Sequence, residues 1–127
     1  MVAEPPADGC LVHGGFYAGN VLWRASAGRV AVIDSDEVRT DDPARELAWA
    51  AWEFCHDPDG TDLDHTAAYE FLADSSRYAP LPSGLPADLI PWVRWHLAYE
   101  IGRPLRERRR GIAIDADYLD ADCRAFR

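Results

Sequence analysis

There is no lysine in these 127 residues: all thirteen basic side chains are arginine, set against 22 Asp and Glu, for a net charge of −9. That balance argues against a nucleic-acid partner, because phosphate binding is driven by clustered basic groups that release counterions. The one basic run, Arg106, Glu107, Arg108, Arg109 and Arg110, reads instead as a solvated helix end, where cations favour the helix dipole. Cysteine is scarce. Cys10, Cys55 and Cys123 are odd in number, widely spaced and free of any CxxC pair, so reduced structural thiols in a cytosolic protein are expected. His56, His65 and His96 lie too far apart for a zinc signature. Long apolar runs are missing too: none approaches the roughly 20 residues that span a bilayer. The start, MVAEPPADG, has neither the basic nor the apolar region of a secretory signal. A soluble, cytoplasmic protein with no membrane partner is the expectation.

Against those absences stands a hydrophobic content of 48% with five Trp, enough for one core. One domain over 1–127 is expected, with a flexible N-terminus at 1–9, a loop-and-hairpin segment at 10–41 and a helical part at 42–127. Val21 to Trp23 and Val30 to Ile33, joined by a turn around Ala27 and Gly28, predict a small hairpin. Asp41 or Asp42 before Pro43 predicts a helix start, with Leu47, Ala51 and Phe54 recurring on one face. A second helix is expected over 62–73, with His65, Ala68, Tyr69 and Leu72 sharing a face. A third starts near Ala87 and carries Leu89, Trp92, Val93, His96, Leu97 and Ile101 on its buried stripe. Gly102 and Pro104 are expected to end or kink it. A short terminal helix over 117–125 follows. Trp49 with Trp52, and Trp92 with Trp95, sit three apart on their helices, a spacing for packing or, where exposed, for an interface.

The segment LVHGGFYAGNVLW, followed by VAVIDSDEVRTDDPARELAWAAWEF, resembles the C-terminal lobe of the aminoglycoside phosphotransferase and choline kinase family. That family's catalytic loop reads H-G-D-x-x-x-x-N, its metal segment I-D-W or I-D-F, and then D-P-x-x-D-L-A. His13, Gly14 and Asn20 match the first block in register, and Ile33 and Asp34 the second. Asp42, Pro43, Leu47 and Ala48 match the third, with Glu46 in place of Asp. The match is firm over residues 11–54. The implied fold is mainly α (α+β), a protein-kinase-like C-lobe with a small hairpin and three to four helices.

In phosphoryl transfer an Asp and an Asn hold the metal ions, while a catalytic-loop Asp accepts the attacking hydroxyl's proton. The resemblance makes Asn20 and Asp34 the metal ligands, hard donors suited to Mg²⁺, and His13 the residue that orders the loop. The proton acceptor would fall at position 15, where this chain has Gly15. Ser35 replaces the aromatic residue that commonly follows the metal-binding Asp. The family also reaches the phosphates with a lysine from an N-terminal lobe. Here His13 is only the thirteenth residue and lysine is lacking, so an absent N-lobe and little use of ATP are expected. Asp36, Glu37, Asp41 and Asp42 follow Asp34; they suit turns and a helix cap, or, for Asp36, Glu37 and Asp41, attraction of a cationic substrate such as a polyamine or aminoglycoside.

Three functions remain open on sequence. The first is a truncated phosphotransferase-like chain, inactive as a kinase, that binds a small molecule or serves as an accessory module. The second is an enzyme of altered chemistry in the old cleft. The third is a phosphotransferase, acting on an aminoglycoside-like or amino-alcohol hydroxyl, completed by a partner chain. A homodimer, or docking on another chain, is expected.

Overall fold

The computed structural model of the chain describes residues 9–126, so all of the expected flexible N-terminus except Gly9 lies outside the described residues. Four short strands precede four helices. Strand β1 (Cys10–Val12) pairs antiparallel with β4 (Arg39–Asp41), Leu11 opposite Thr40. Between them in sequence, β2 (Val21–Arg24) and β3 (Arg29–Val32) form a second antiparallel pair, Trp23 opposite Val30. Gly28 closes that hairpin in the left-handed conformation, φ 56°, which glycine adopts without steric cost. The hairpin stands where the alternating apolar runs place it. The β1–β4 sheet has no local signal, because three-residue strands must find each other across an intervening hairpin.

Helix α1 (Pro43–Cys55) begins as the sequence dictates. The Asp42 side chain accepts from the Ala44 N–H at 2.8 Å, and Pro43 fills the first turn, where no intrahelical donor is needed. Its buried stripe is Ala44, Ala48, Ala51 and Cys55, with Trp52 beside it. The expected partner Phe54 is instead 39% exposed, at the edge between the rings of Phe16 and Phe71. Small alanine side chains let neighbouring helices approach closely, and α1 accordingly packs against both α2 (His65–Ser75) and α3 (Leu89–Arg109). Burial raises the pKa of the Cys55 thiol at the end of this stripe, which keeps it protonated and inert.

Helix α2 starts later than residue 62: Asp64 caps it, accepting from the Ala67 N–H at 3.0 Å. Of its four expected core residues only Ala68 and Leu72 are buried. His65, at the first position of the helix, and Tyr69, about 60–100° round from Ala68 and Leu72, face solvent. Helix α3 buries Leu89, Val93, His96 and Leu97 as expected, and adds Glu100, while Trp92 and Ile101 are half-buried. It runs through Gly102 and Pro104 to Arg109 instead of stopping. Pro104 costs one helical hydrogen bond to the Glu100 carbonyl, yet the helix continues through it, and α4 (Ala116–Phe126) lies against α3. Its exposed arginines close the last turn. No helix among the described residues is long and apolar enough to cross a membrane.

The twelve-residue core cluster runs from Ala44 on α1 through Leu72 on α2 to Leu97 on α3. Leu72→Ala should therefore lower stability by about 2–5 kcal/mol in denaturant melts, as truncation of a fully buried leucine does. Tyr69→Ala, three residues away on the exposed side, should change it by less than about 1 kcal/mol; equal losses would place Tyr69 in the core after all.

Candidate functional site

The loop after β1 is built around one carboxylate. Glu46, in the first turn of α1, accepts from the backbone N–H of His13 (2.8 Å) and of Gly14 (2.8 Å), one oxygen to each. Gly14 sits at φ 82°, and a Cβ there would overlap the Glu37 carbonyl oxygen and the Arg39 guanidinium. Only glycine fits that crossing. The Gly15 N–H donates to His13 Nδ1 at 3.3 Å, which leaves Nε2 as the protonated nitrogen, donating to the Ile33 carbonyl at 3.0 Å. His13 thus ties its loop to the segment that delivers Asp34.

Asn20 completes the frame. It is buried, its Nδ2 donates to the Gly15 carbonyl at 2.9 Å, and its own carbonyl accepts from the Ile33 N–H at 2.9 Å. Asp34 follows in the left-handed region, φ 62°, a conformation uncommon outside glycine and tolerated best by Asn and Asp. Local strain of this kind persists only where the surroundings enforce it.

Gly15, Asn20, Asp34, Asp36 and Glu37 all line one cleft of about 510 Å³. His13 braces the loop from behind, and Asp41 is elsewhere. Asp41 is buried between Arg39 (3.0 Å) and Arg45 (2.7 Å), and the Arg45 guanidinium lies 3.9 Å from the centre of the Trp95 ring. At Gly15 a Cβ would stand 3.5 Å from Asn20 Nδ2 and 3.8 Å from His13 Nδ1, ordinary contact distances, so the position has room for a side chain.

The cleft also takes residues that the sequence motifs do not flag. Tyr17 comes from the loop, Trp49 and Glu53 from α1, Glu100 and Arg103 from α3. The last four are pairs at helical spacing, but nothing local shows that α1 and α3 bring them together. Trp49 donates to Glu53 at 2.9 Å and stacks on His96, ring centres 4.0 Å apart. Burial, then the nearby guanidinium of Arg45, pushes His96 down to about 3, so it is neutral and acts as a packing ring. Glu100 is only 6% exposed. Burial raises its pKa, and Arg103 at 3.0 Å works against that rise. Behind it, Asp122 of α4 is buried, its Oδ2 without a hydrogen-bond partner among the described residues, and is pushed up to about 6 by burial and then by Glu100 and Glu53. Five carboxylates line the cleft and Arg103 is the one cation among its lining residues. No group of three His, Cys, Asp or Glu that could hold a metal ion on its own is present among the described residues.

The loop carrying His13 and Asn20, the turn carrying Asp34 and the Asp42-capped helix all fall within residues 2–81, and that stretch, well over half of the chain, matches the model of the phosphotransferase enzyme family. The chain belongs to that family. No curated protein and no solved structure gives a significant match. The phosphotransferase match extends beyond the motif blocks through α2.

Two outcomes follow from these contacts. Glu46→Ala leaves the His13 and Gly14 N–H groups without their carboxylate and should cost about 1.5–3 kcal/mol, read by thermal or denaturant unfolding; a neutral result would mean that the loop does not depend on α1. Asp122 has a pKa raised by folding from 3.8 to about 6, so its contribution to stability is full below pH 3.8 and is lost as pH rises through 6. Asp122→Asn should therefore stabilise the protein at pH 7 and flatten its stability between those values. The groups that face it, Glu53, Glu100 and Arg103, remain to set the residual slope.

Proposed function

We propose that this phosphotransferase-family chain is inactive as a kinase and serves as a binding or accessory module whose acidic cleft takes a cationic small molecule. One observation carries the reading: at the loop position where a proton-accepting carboxylate is required, the cleft is lined by Gly15, which offers backbone only. Proton transfer needs a group within about 3 Å of the hydroxyl. The carboxylates of Asp36 and Glu37 come from beyond the metal segment instead of from the loop. Their charge, with that of Asp34, Glu53 and Glu100, favours an amine or guanidine ligand, and Tyr17 and Trp49 add aromatic surface beside it. The C-lobe of a protein-kinase-like fold is part of the same reading, with the short hairpin and four helices as its support.

The donor set fits Mg²⁺. Asn20 commits its amide nitrogen to Gly15, which leaves the amide oxygen for a cation, and Asp34 adds a carboxylate in the same cleft. Two protein donors suit an ion that keeps several waters and shares phosphate oxygens. Asn20 and Asp34 would hold the ion, whose charge would offset part of the cleft's negative potential. This retained pair also supports a second reading, a phosphotransferase whose base and phosphate grip come from another chain.

Calorimetric titration with spermine, with Mg²⁺ alone and with MgATP separates these readings. Spermine should bind, more weakly as salt rises and more weakly in Glu37→Gln, and the unmodified protein should not turn over ATP with an aminoglycoside or choline. Turnover would overturn the proposal. Gly15→Asp should fold with a change of less than about 1 kcal/mol, because the site has room for a Cβ and no left-handed backbone. A large loss in that variant would contradict the contact distances around Gly15.

A further inference from the structure

The β2–β3 hairpin is the part of the molecule with least packing. Its strands pair only with each other, and Leu22, Trp23, Val30 and Val32 are all 46% exposed or more. Val21 faces Val32 and Trp23 faces Val30 on one side of the ribbon, an apolar strip, while Leu22, Ala31, Arg24 and Arg29 alternate onto the other side. A two-stranded hairpin is marginal alone, and an exposed apolar strip of this kind marks an interface. At its far end Arg24 lies directly opposite Arg29, a like-charge pair that is unfavourable until an anion arrives. Residues 21–32 contain no carboxylate, in a chain of net charge −9.

The complementary surface is on the same chain. The hairpin leaves the cleft at Asn20 and returns to it at Asp34, and the cleft presents Asp36, Glu37 and three further carboxylates with aromatic Tyr17 and Trp49 among them. The hairpin face that carries Arg24 and Arg29 also carries the exposed Leu22, and it matches a cleft with five acids and two aromatic rings. We propose that the chain forms a two-fold homodimer in which each copy lays its β2–β3 hairpin over the acidic cleft of the other, Arg24 and Arg29 meeting the cleft carboxylates. Because the contact is reciprocal, two-fold symmetry closes it at two copies, with no open end for a fibre. The partner copy thereby brings guanidinium groups to a cleft whose one cation among the described lining residues is Arg103. The proposal rests on the charge of the cleft and not on any ligand for it.

Light scattering after size exclusion, on the full chain without ligand, tests it. The expected mass is twice 14.2 kDa, with dissociation favoured by salt, since rim charges are screened. Arg24→Glu/Arg29→Glu should weaken the dimer at least about tenfold, as should Asp36→Arg/Glu37→Arg. Mixing these two variants should restore a heterodimer, because each reversed hairpin then meets a reversed cleft and each native hairpin a native one. Circular dichroism on each variant confirms folding. A mass of 14.2 kDa at every concentration, a dimer indifferent to salt and to both double variants, or no rescue on mixing overturns the proposal. A monomer that still binds spermine would do so while leaving the ligand reading intact.

Discussion

The Glu46 carboxylate reaches from the first turn of α1 to the N–H groups of His13 and Gly14, and the site hangs on that reach. Each of those N–H groups belongs to a loop with no ladder partner, so without the carboxylate both would need water in a crowded crossing. With it, His13 is fixed well enough for its ring to span from Gly15 to the Ile33 carbonyl, and that in turn sets where the backbone turns at Asp34. The order of dependence runs from helix to loop to cleft. It also explains the tight crossing at Gly14: a loop pinned at two consecutive N–H groups passes too close to the Glu37 carbonyl for any Cβ.

Charge is divided into two compartments. On one side Asp41 is closed between Arg39 and Arg45, and Arg45 rests on Trp95, so a buried carboxylate has its counter-charges in contact. On the other, Glu53, Glu100 and Asp122 converge from three helices with Arg103 as their cation. A buried carboxylate short of partners raises its pKa instead of being neutralised by contact, and both Glu100 and Asp122 do so. The first compartment is a structural staple between β4 and α1. The second holds unspent negative charge against the cleft wall, which is a cost to folding and an attraction for any cation that enters.

Much of this was legible beforehand, and the reasons are local. Asp42 before Pro43 marks the start of α1 through capping and a fixed φ; the β2–β3 hairpin follows from two apolar runs around a glycine; His13, Gly15, Asn20 and Asp34 stand at motif spacing. What could not be read depends on contacts between distant segments. Tyr69 shares the apolar period of α2 but not its buried side, because which side is buried depends on where α1 lies. Pro104 signals a helix end, yet α3 continues through it to Arg109. Asp41 belongs to the same acidic run as Asp34, Asp36 and Glu37, yet its place at the end of β4 turns it to Arg45 and away from the cleft. Glu53, Glu100 and Arg103 have no motif at all, since they meet only through the packing of α1 on α3.

Gly15 gains its meaning from what surrounds it. Had the frame around it collapsed, with Asn20 unbonded or Asp34 out of the cleft, a glycine there would be one more sign of drift. Instead Asn20 is buried and bonded at both amide nitrogen and carbonyl, and Asp34 is held in a strained conformation beside it. Strain and burial of polar groups are maintained against the tendency of a marginally stable fold to relax them. An amide and a carboxylate kept at that cost line the cleft beside Gly15, a position with room for a side chain. Under the proposed function, binding in the cleft depends on the frame and proton transfer on a carboxylate at position 15, so the two can be separated by one residue.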